Sequence, residues 1–346
     1  MGSLTFVGLG LGPKGVSVEG LEEIRRADEA FLEYYTTPHD PSLVSELEKQ
    51  GGRSLTVVDR AFVEDGKSIL TESRSKRVVL AVPGDPMIAT THGELRVRAI
   101  KAGIATSIVH SATIGTAAAS ASGLHYYKFS RTVTATRDSL KRLSQVYQII
   151  HENLLEGAHS LLLLEYDVDA GEGVSPNQAI RGLLDAEANL KRDVLSVDTF
   201  ALVLSRLGRS DEAYAAGSFS ELGSGEYGAA PHCIVIPGSL HFTESEAIEA
   251  VFDIDKDRVH ANSSRVKRTA ATLVPRYVGK TKKALELARR NLDTRYDTVV
   301  ENVELYMRDA ENFLAKGEDE LAMLSIGYAE GLLDSLNFSG VVKVEW

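Results

Sequence analysis

The run Val78–Val82 (VVLAV) is apolar at five consecutive positions and stops at Pro83-Gly84. A strand with one face in water alternates apolar and polar residues. An unbroken run asks for burial on both faces, as in a strand of a parallel sheet covered by helices on each side. The flanking chain repeats the theme. Leu4–Gly8 is strand-like, Val18–Ala27 sets Leu21 and Ile24 on one helical face, and Ala30–Tyr34 is apolar again. Gly93–Ala102 reads as a helix before a further strand at Thr106–His110. This βαβ rhythm predicts an α/β lobe over residues 1–110 with a mostly parallel sheet.

Residues 111–262 read as a second α/β lobe. It opens with the small-residue stretch Ser111–Ser122 (SATIGTAAASAS), which suits either a close-packed helix or a linker. Strands follow at Thr132–Ala135, Leu161–Glu165, Ser196–Leu204 and Cys233–Pro237, with a helix around Asn177–Leu190. Two such lobes predict an enzyme with a cleft between them. Beyond residue 262 the pattern is helical only. Val299, Val303, Tyr306, Ala310 and Phe313 recur at helical spacing, as do Leu321, Leu324, Tyr328, Leu332 and Leu336, with Gly317 as the stop between them. Residues 263–346 therefore predict a helical hairpin or bundle.

Charge marks the same boundary. The chain of 346 residues carries a formal −11, and residues 263–346 hold 13 basic and 13 acidic groups, so the whole imbalance lies in the first 262. Within the tail, residues 265–295 have ten basic groups against two acidic, and residues 296–346 have three against eleven. A globally cationic nucleic-acid binder is excluded; the segment Arg265–Arg290 is the one candidate surface for nucleic acid, with neutralisation by the acidic helices as the simpler expectation. No apolar run approaches the ~20 residues that span a bilayer. With no basic start before the N-terminal apolar stretch, the chain is expected to be cytoplasmic. One cysteine, Cys233, excludes an internal disulfide and a multi-cysteine zinc site, and its apolar surroundings predict a buried thiol.

Chemistry is sparse. The start Val7-Gly8-Leu9-Gly10-Leu11-Gly12-Pro13 fails as a dinucleotide fingerprint because Pro13 stands where the third glycine belongs. A glycine-rich turn still lets a ligand approach the backbone. Pro83-Gly84-Asp85-Pro86 follows a buried strand, at the carboxyl edge where open sheets bind ligands, and Asp85 can accept hydrogen bonds there. The nine histidines show no metal spacing, and no nucleophile elbow is present. A reaction that needs mainly alignment of an already activated donor, such as methyl transfer from a sulfonium, fits such a set.

Taken in order, VGLGLG, GLEEIRRADEAFLEYYT, VPGDPMIATTHGELRVRA, SATIG, GLHYYKFSRT, GAHSLLLLEYD, DTFALVLSRLG and PHCIVIPGSLHF resemble the diphthine synthases, members of the tetrapyrrole-methylase superfamily, from about Leu4 to about Val259. The resemblance implies a two-lobed tetrapyrrole-methylase-like α/β fold, a homodimer, and S-adenosyl-L-methionine held between the lobes. Matched motif by motif, the cofactor contacts fall at Leu11, Asp85, Ile88, Thr113, Ile114, Leu164, Leu207 and His232. The implied reaction is methylation of a 3-amino-3-carboxypropyl group on a histidine of translation elongation factor 2, as in diphthamide biosynthesis of archaeal type. Glu165, ending its apolar strand, is the candidate base for the acceptor amine.

One departure stands out. Family members carry a Trp-x-Pro segment between YKF and the LLLL strand. Here that interval, TVTATRDSLKRLSQVYQIIHENLLEG, has neither residue, and the single tryptophan is Trp346. A methylase of this fold with another acceptor, a tetrapyrrole or RNA, is the alternative, and a non-catalytic protein that binds the cofactor is a further one. The closing segment LSIGYAEGLLDSLNFSG resembles a small helical archaeal domain of unknown function.

Overall fold

The computed structural model describes residues 2–344 apart from 36, 39–41 and 169; Trp346 lies outside them, as does the side chain of Arg265. The chain forms two compact units, Met1–Lys191 with Leu195–Ser264, and Arg192–Val194 with Arg265–Trp346.

The first unit starts with β1 (Ser3–Gly8), α1 (Val18–Arg26), β2 (Glu29–Glu33), α2 (Leu43–Gly51), β3 (Thr56–Val58), α3 (Arg60–Asp65), α4 (Lys67–Glu72), β4 (Arg77–Val82), α5 (His92–Lys101) and β5 (Ala105–Val109). The strands pair in the order β3-β2-β4-β1-β5, and every pairing is parallel. The apolar run behaves as its composition requires. Val78, Leu80 and Val82 enter one core with Leu4, Phe6 and Leu95, whereas Val79 and Ala81 enter the other with Val7, Leu32 and Leu47. Successive side chains of a strand point to opposite faces, so a run apolar at every position is covered on both sides of the sheet. Local signals set the helix ends. Ser17 accepts from the Gly20 N–H at 3.0 Å to cap α1, and Gly52 and Gly66, both left-handed, end α2 and α3.

The chain continues through α6 (Ile114–Ser122), β6 (Val133–Ala135), α7 (Ser144–Leu155), β7 (Ser160–Leu164), the small hairpin β8 (Tyr166–Asp167) and β9 (Glu172–Gly173), α8 (Pro176–Leu190), β10 (Phe200–Ser205), β11 (Ala213–Ser218), α9 (Phe219–Leu222), β12 (His232–Ile236) and α10 (Phe242–Phe252). The small-residue stretch is thus a helix, capped by Thr113 at one end and by left-handed Gly123 at the other; Ala118, Ala119 and Ser122 are its buried side. The second sheet runs β11-β10-β12-β7-β6, and only β6 and β7 are parallel. It therefore differs from the first lobe. Cys233 and Val235 face one core while Ile234 and Ile236 are buried on the other side, so a run apolar at every position marks two-sided burial and not strand direction. The interval without Trp-x-Pro becomes β6 and α7, which buries Tyr147, Ile150 and Leu154.

The second unit is a bundle of three helices, α11 (Thr269–Arg289), α12 (Asp297–Lys316) and α13 (Asp319–Phe338), with one core around Val274, Leu285, Val303, Ala310, Ile326 and Leu333. Left-handed Gly317 ends α12 as the sequence suggests. The buried stripe of α13 is Ala322, Ser325, Ile326, Ala329, Leu333 and Leu336, so Leu324 and Tyr328, 55% and 56% exposed, do not belong to it. Alanines at the contact line let neighbouring helices approach closely, and Leu321 and Leu324 are turned outward while Leu333 and Leu336 stay buried. Basic and acidic halves meet across the bundle: Arg268 with Asp319 at 2.9 Å, Arg289 with Glu304 at 3.0 Å and Lys280 with Glu330 at 3.7 Å. Among the described residues no helix is long and apolar enough to cross a membrane.

Leu80 has no exposed surface at the middle of the first sheet. Leu80→Ala is expected to cost about 2–5 kcal/mol, read as a drop in unfolding free energy by urea titration followed by circular dichroism.

Candidate functional site

At the carboxyl edge of the first sheet, the loops after β1 and β4 are tied by two backbone hydrogen bonds: Gly10 N–H to the Gly84 carbonyl at 3.2 Å and Gly84 N–H to the Gly10 carbonyl at 2.8 Å. Both glycines are left-handed, with φ of 70° and 72°, which side chains disfavour. A Cβ on Gly8 would sit 2.8 Å from the Gly84 carbonyl oxygen, so the same edge depends on a third glycine. Across the cleft, a Cβ on Gly12 would overlap the Gly208 carbonyl oxygen, and one on Gly208 would fall 2.8 Å from Leu11 Cβ. The two lobes meet there backbone against backbone.

These loops enclose a cavity of about 370 Å³, within the range of roughly 300–1,000 Å³ usual for small organic ligands. Leu11, Asp85, Ile88, Thr113, Ile114, Leu164, Leu207 and His232, drawn from six separate segments, all line it, and so does Glu165. The walls are largely apolar, with Leu9, Leu43, Leu163 and Leu204 completing them. An uncharged heterocycle can be desolvated in such a cavity at little cost.

The polar lining is heavily engaged by the protein itself. Asp85, 6% exposed, accepts from Met87 N–H at 2.9 Å on one oxygen, and from His110 Nδ1 at 2.8 Å and Ser111 N–H at 3.2 Å on the other. Burial alone would raise its pKa, but these three hydrogen bonds outweigh that and hold it below the ordinary value. Asp85 is thereby the clasp between the loop after β4 and the end of β5. His232 lies beside Ser205 Oγ, 3.0 Å from Nδ1. Desolvation, assisted by the positive charge of Arg206 and only partly opposed by the Gly228 carbonyl, lowers its pKa to about 4, so the ring is neutral near pH 7. Thr113 spends its hydroxyl on the Gly115 N–H at 3.0 Å, and its carbonyl accepts from the Ala117 N–H at 2.9 Å. Glu165 accepts the Arg137 N–H at 2.7 Å through Oε2; among the described residues Oε1 has no protein donor.

Behind this wall, two sequence motifs prove to be one device. Glu33 of EYYT and His92 of the GDPMIATTH segment are both fully buried, with His92 Nε2 3.4 Å from Glu33 Oε2. His92 Nδ1 lies 2.9 Å from Thr90 Oγ1 and 3.1 Å from the Pro86 carbonyl. The loop bearing Asp85 and Ile88 is gripped from beneath, including Ala89, which is left-handed at φ 56°. Sequence reading did not single out Arg60, Thr37, Tyr166, Arg206 and Arg209, which also line the cavity. Arg206 and Arg209 lie on either side of Leu207 in SRLGR and carried a signal by adjacency; Arg60, in VVDRAFV, belongs to no motif and carried none. Cys233 is buried, which pushes its thiol up to about 12. Among the described residues no three His, Cys, Asp or Glu side chains are placed to hold a metal.

Residues 3–223 match the family model for tetrapyrrole (corrin/porphyrin) methylases, and residues 276–342 match that of a protein family of unknown function, DUF357. The diphthine synthase of Methanothermobacter thermautotrophicus is 35% identical over 246 residues, 70% of this chain and 93% of that protein. That of Archaeoglobus fulgidus is 35% identical over 253 residues, 72% of this chain and 96% of that protein. A crystal structure of a diphthine synthase superposes with a TM-score of 0.65 at 32% identity, covering 74% of this chain and 99% of that one.

The neutral His232 gives a pH test. Its folded pKa of about 4 lies below the ordinary 6.5, so between these values the unfolded chain binds a proton that the folded chain refuses. Stability contributed here is complete above pH 6.5 and is lost as pH falls toward 4. His232→Asn is expected to show a shallower decline of the urea midpoint over that window; an identical slope would show that the imidazole carries no such penalty.

Proposed function

Since the chain belongs to the tetrapyrrole methylases and, among them, to the diphthine synthases, we infer that it is a methyltransferase dependent on S-adenosyl-L-methionine, and we propose that its acceptor is the 3-amino-3-carboxypropyl group on a histidine of translation elongation factor 2. The observation that carries this reading is the convergence of eight matched positions on one cavity. In line with the family reading, we place the protein in the cytoplasm and propose that it acts as a homodimer.

The cavity fits the cofactor. Leu11, Ile88, Ile114, Leu164 and Leu207 supply apolar walls for a nucleoside, and Thr113 and His232 add polar residues held by the protein's own hydrogen bonds. When bound, the cofactor supplies an activated methyl group on a positively charged sulfur. The protein's part is alignment and exclusion of water. Asp85, with its three internal hydrogen bonds, acts by fixing the loop and not as a base. His232, neutral and engaged with Ser205, adds no positive charge next to a cationic ligand. Glu165 is the group we assign to the acceptor: Oε2 is pinned by Arg137 N–H, and Oε1 receives the proton that the acceptor ammonium must lose. Apolar walls assist by disfavouring the charged amine.

Incubation of the protein and S-adenosyl-L-methionine with elongation factor 2 bearing the aminocarboxypropyl histidine is expected to raise the factor's mass in multiples of a methyl group. An unchanged mass would overturn the acceptor assignment. Glu165→Gln is expected to lower kcat by roughly a hundredfold or more, with calorimetric affinity for S-adenosylhomocysteine preserved. Asp85→Ala is expected to do the reverse first, weakening that affinity by about tenfold as the clasp opens.

A further inference from the structure

Three arginines line the cavity, and two are consumed by the protein. Arg206 pairs with Asp211 at 2.8 Å and donates to the carbonyls of Tyr227 at 2.7 Å and Ala229 at 2.6 Å. Arg209 donates to the Pro38 carbonyl. Arg60 is different. Its guanidinium carbon stands 5.4 Å from the centre of the Tyr35 ring, and among the described residues no carboxylate lies within ion-pair distance of it. Tyr35 is only 8% exposed, and burial, reinforced by the Glu33 charge, raises its phenol pKa, so the ring under Arg60 stays neutral. The aromatic face positions the cation without neutralising it.

The same cavity holds Glu165, whose Oε1 has no protein donor among the described residues, and the two charges are not paired with each other. An open cation on a largely apolar cavity leaves a place for the carboxylate of an amino-acid moiety, with Glu165 kept for the acceptor amine. We propose that Arg60 is the carboxylate-binding residue of this site, taking the carboxylate of an amino-acid moiety through its planar fork. Two ligands of the proposed reaction carry that group: the methionyl tail of the methyl donor and the aminocarboxypropyl acceptor. The second source rests on the functional reading above; the first does not.

The test uses the full chain with Arg60→Gln and Arg60→Lys, and two nucleoside probes that differ only in the amino-acid tail: S-adenosylhomocysteine, which has it, and methylthioadenosine, which lacks it. If the donor's carboxylate is bound, calorimetry shows S-adenosylhomocysteine weakened at least tenfold in Arg60→Gln, methylthioadenosine unchanged, and Arg60→Lys intermediate. If the acceptor's is bound, both probes keep their affinity, while KM for the modified elongation factor rises at least tenfold with kcat within about twofold. Equal weakening of both probes, or no change in either probe or in KM, overturns the proposal. Should the unaltered protein leave the factor unmethylated, the functional reading fails, and the pair of probes decides alone: no selective loss for S-adenosylhomocysteine then overturns the role of Arg60.

Discussion

The reciprocal hydrogen bonds between Gly10 and Gly84 join the ends of two adjacent parallel strands where the sheet stops. Strand ends in a parallel sheet leave backbone groups that must find partners, and here they find each other. The pairing brings two loops close enough that Gly8 cannot carry a side chain and directs both loops outward around a common space. Asp85 then fastens the β4 loop to the end of β5, and the buried Glu33 and His92 hold it from below. The cavity exists because of this chain of contacts, and the backbone approach of Gly12 to Gly208 brings the second lobe to its open side.

The division of labour among polar groups follows. Asp85, Arg206, Thr113 and His232 are satisfied by the backbone or by neighbouring side chains, so they can be buried without a ligand and present a fixed wall. Fixed walls suit a reaction whose donor is already activated, where a precise approach matters more than proton transfer along the route. Among the described residues, Glu165 Oε1 and the Arg60 guanidinium are charged groups not consumed in this way, left to respond to what enters. On the proposed reading, the cavity separates into residues that hold its shape and residues that take its ligand.

The βαβ rhythm of the first lobe was readable because a sheet buried on both faces writes continuous apolar runs, as Val78–Val82 does. The second lobe showed similar runs yet is mainly antiparallel, since Cys233–Ile236 is covered on both faces too and burial is blind to strand direction. In α13 the leucine spacing suggested one face while the alanines Ala322 and Ala329 occupy the contact. Hydrophobicity alone does not say which of two apolar stripes neighbouring helices will choose; closeness of approach does. The site residues were legible through order-specific motifs such as GDPMI and SRLG. Arg60 was not, because a lone arginine outside any motif looks like solvent-exposed surface until the fold is known.

What local chemistry could specify was therefore specified: the apolar strands, the helix stop at Gly317, a shift of charge and periodicity near residue 262, and a glycine-rich turn open to close backbone approach. Which groups remain open was decided in three dimensions. Glu33 meets His92, Asp85 meets His110, and Arg206 meets Asp211 and the 227–229 carbonyls through the packing of segments up to 59 residues apart. Charge neutralisation acts over a few ångströms, a distance to which separation along the chain bears no relation, so the availability of a cation such as Arg60 is a property of the folded cavity alone.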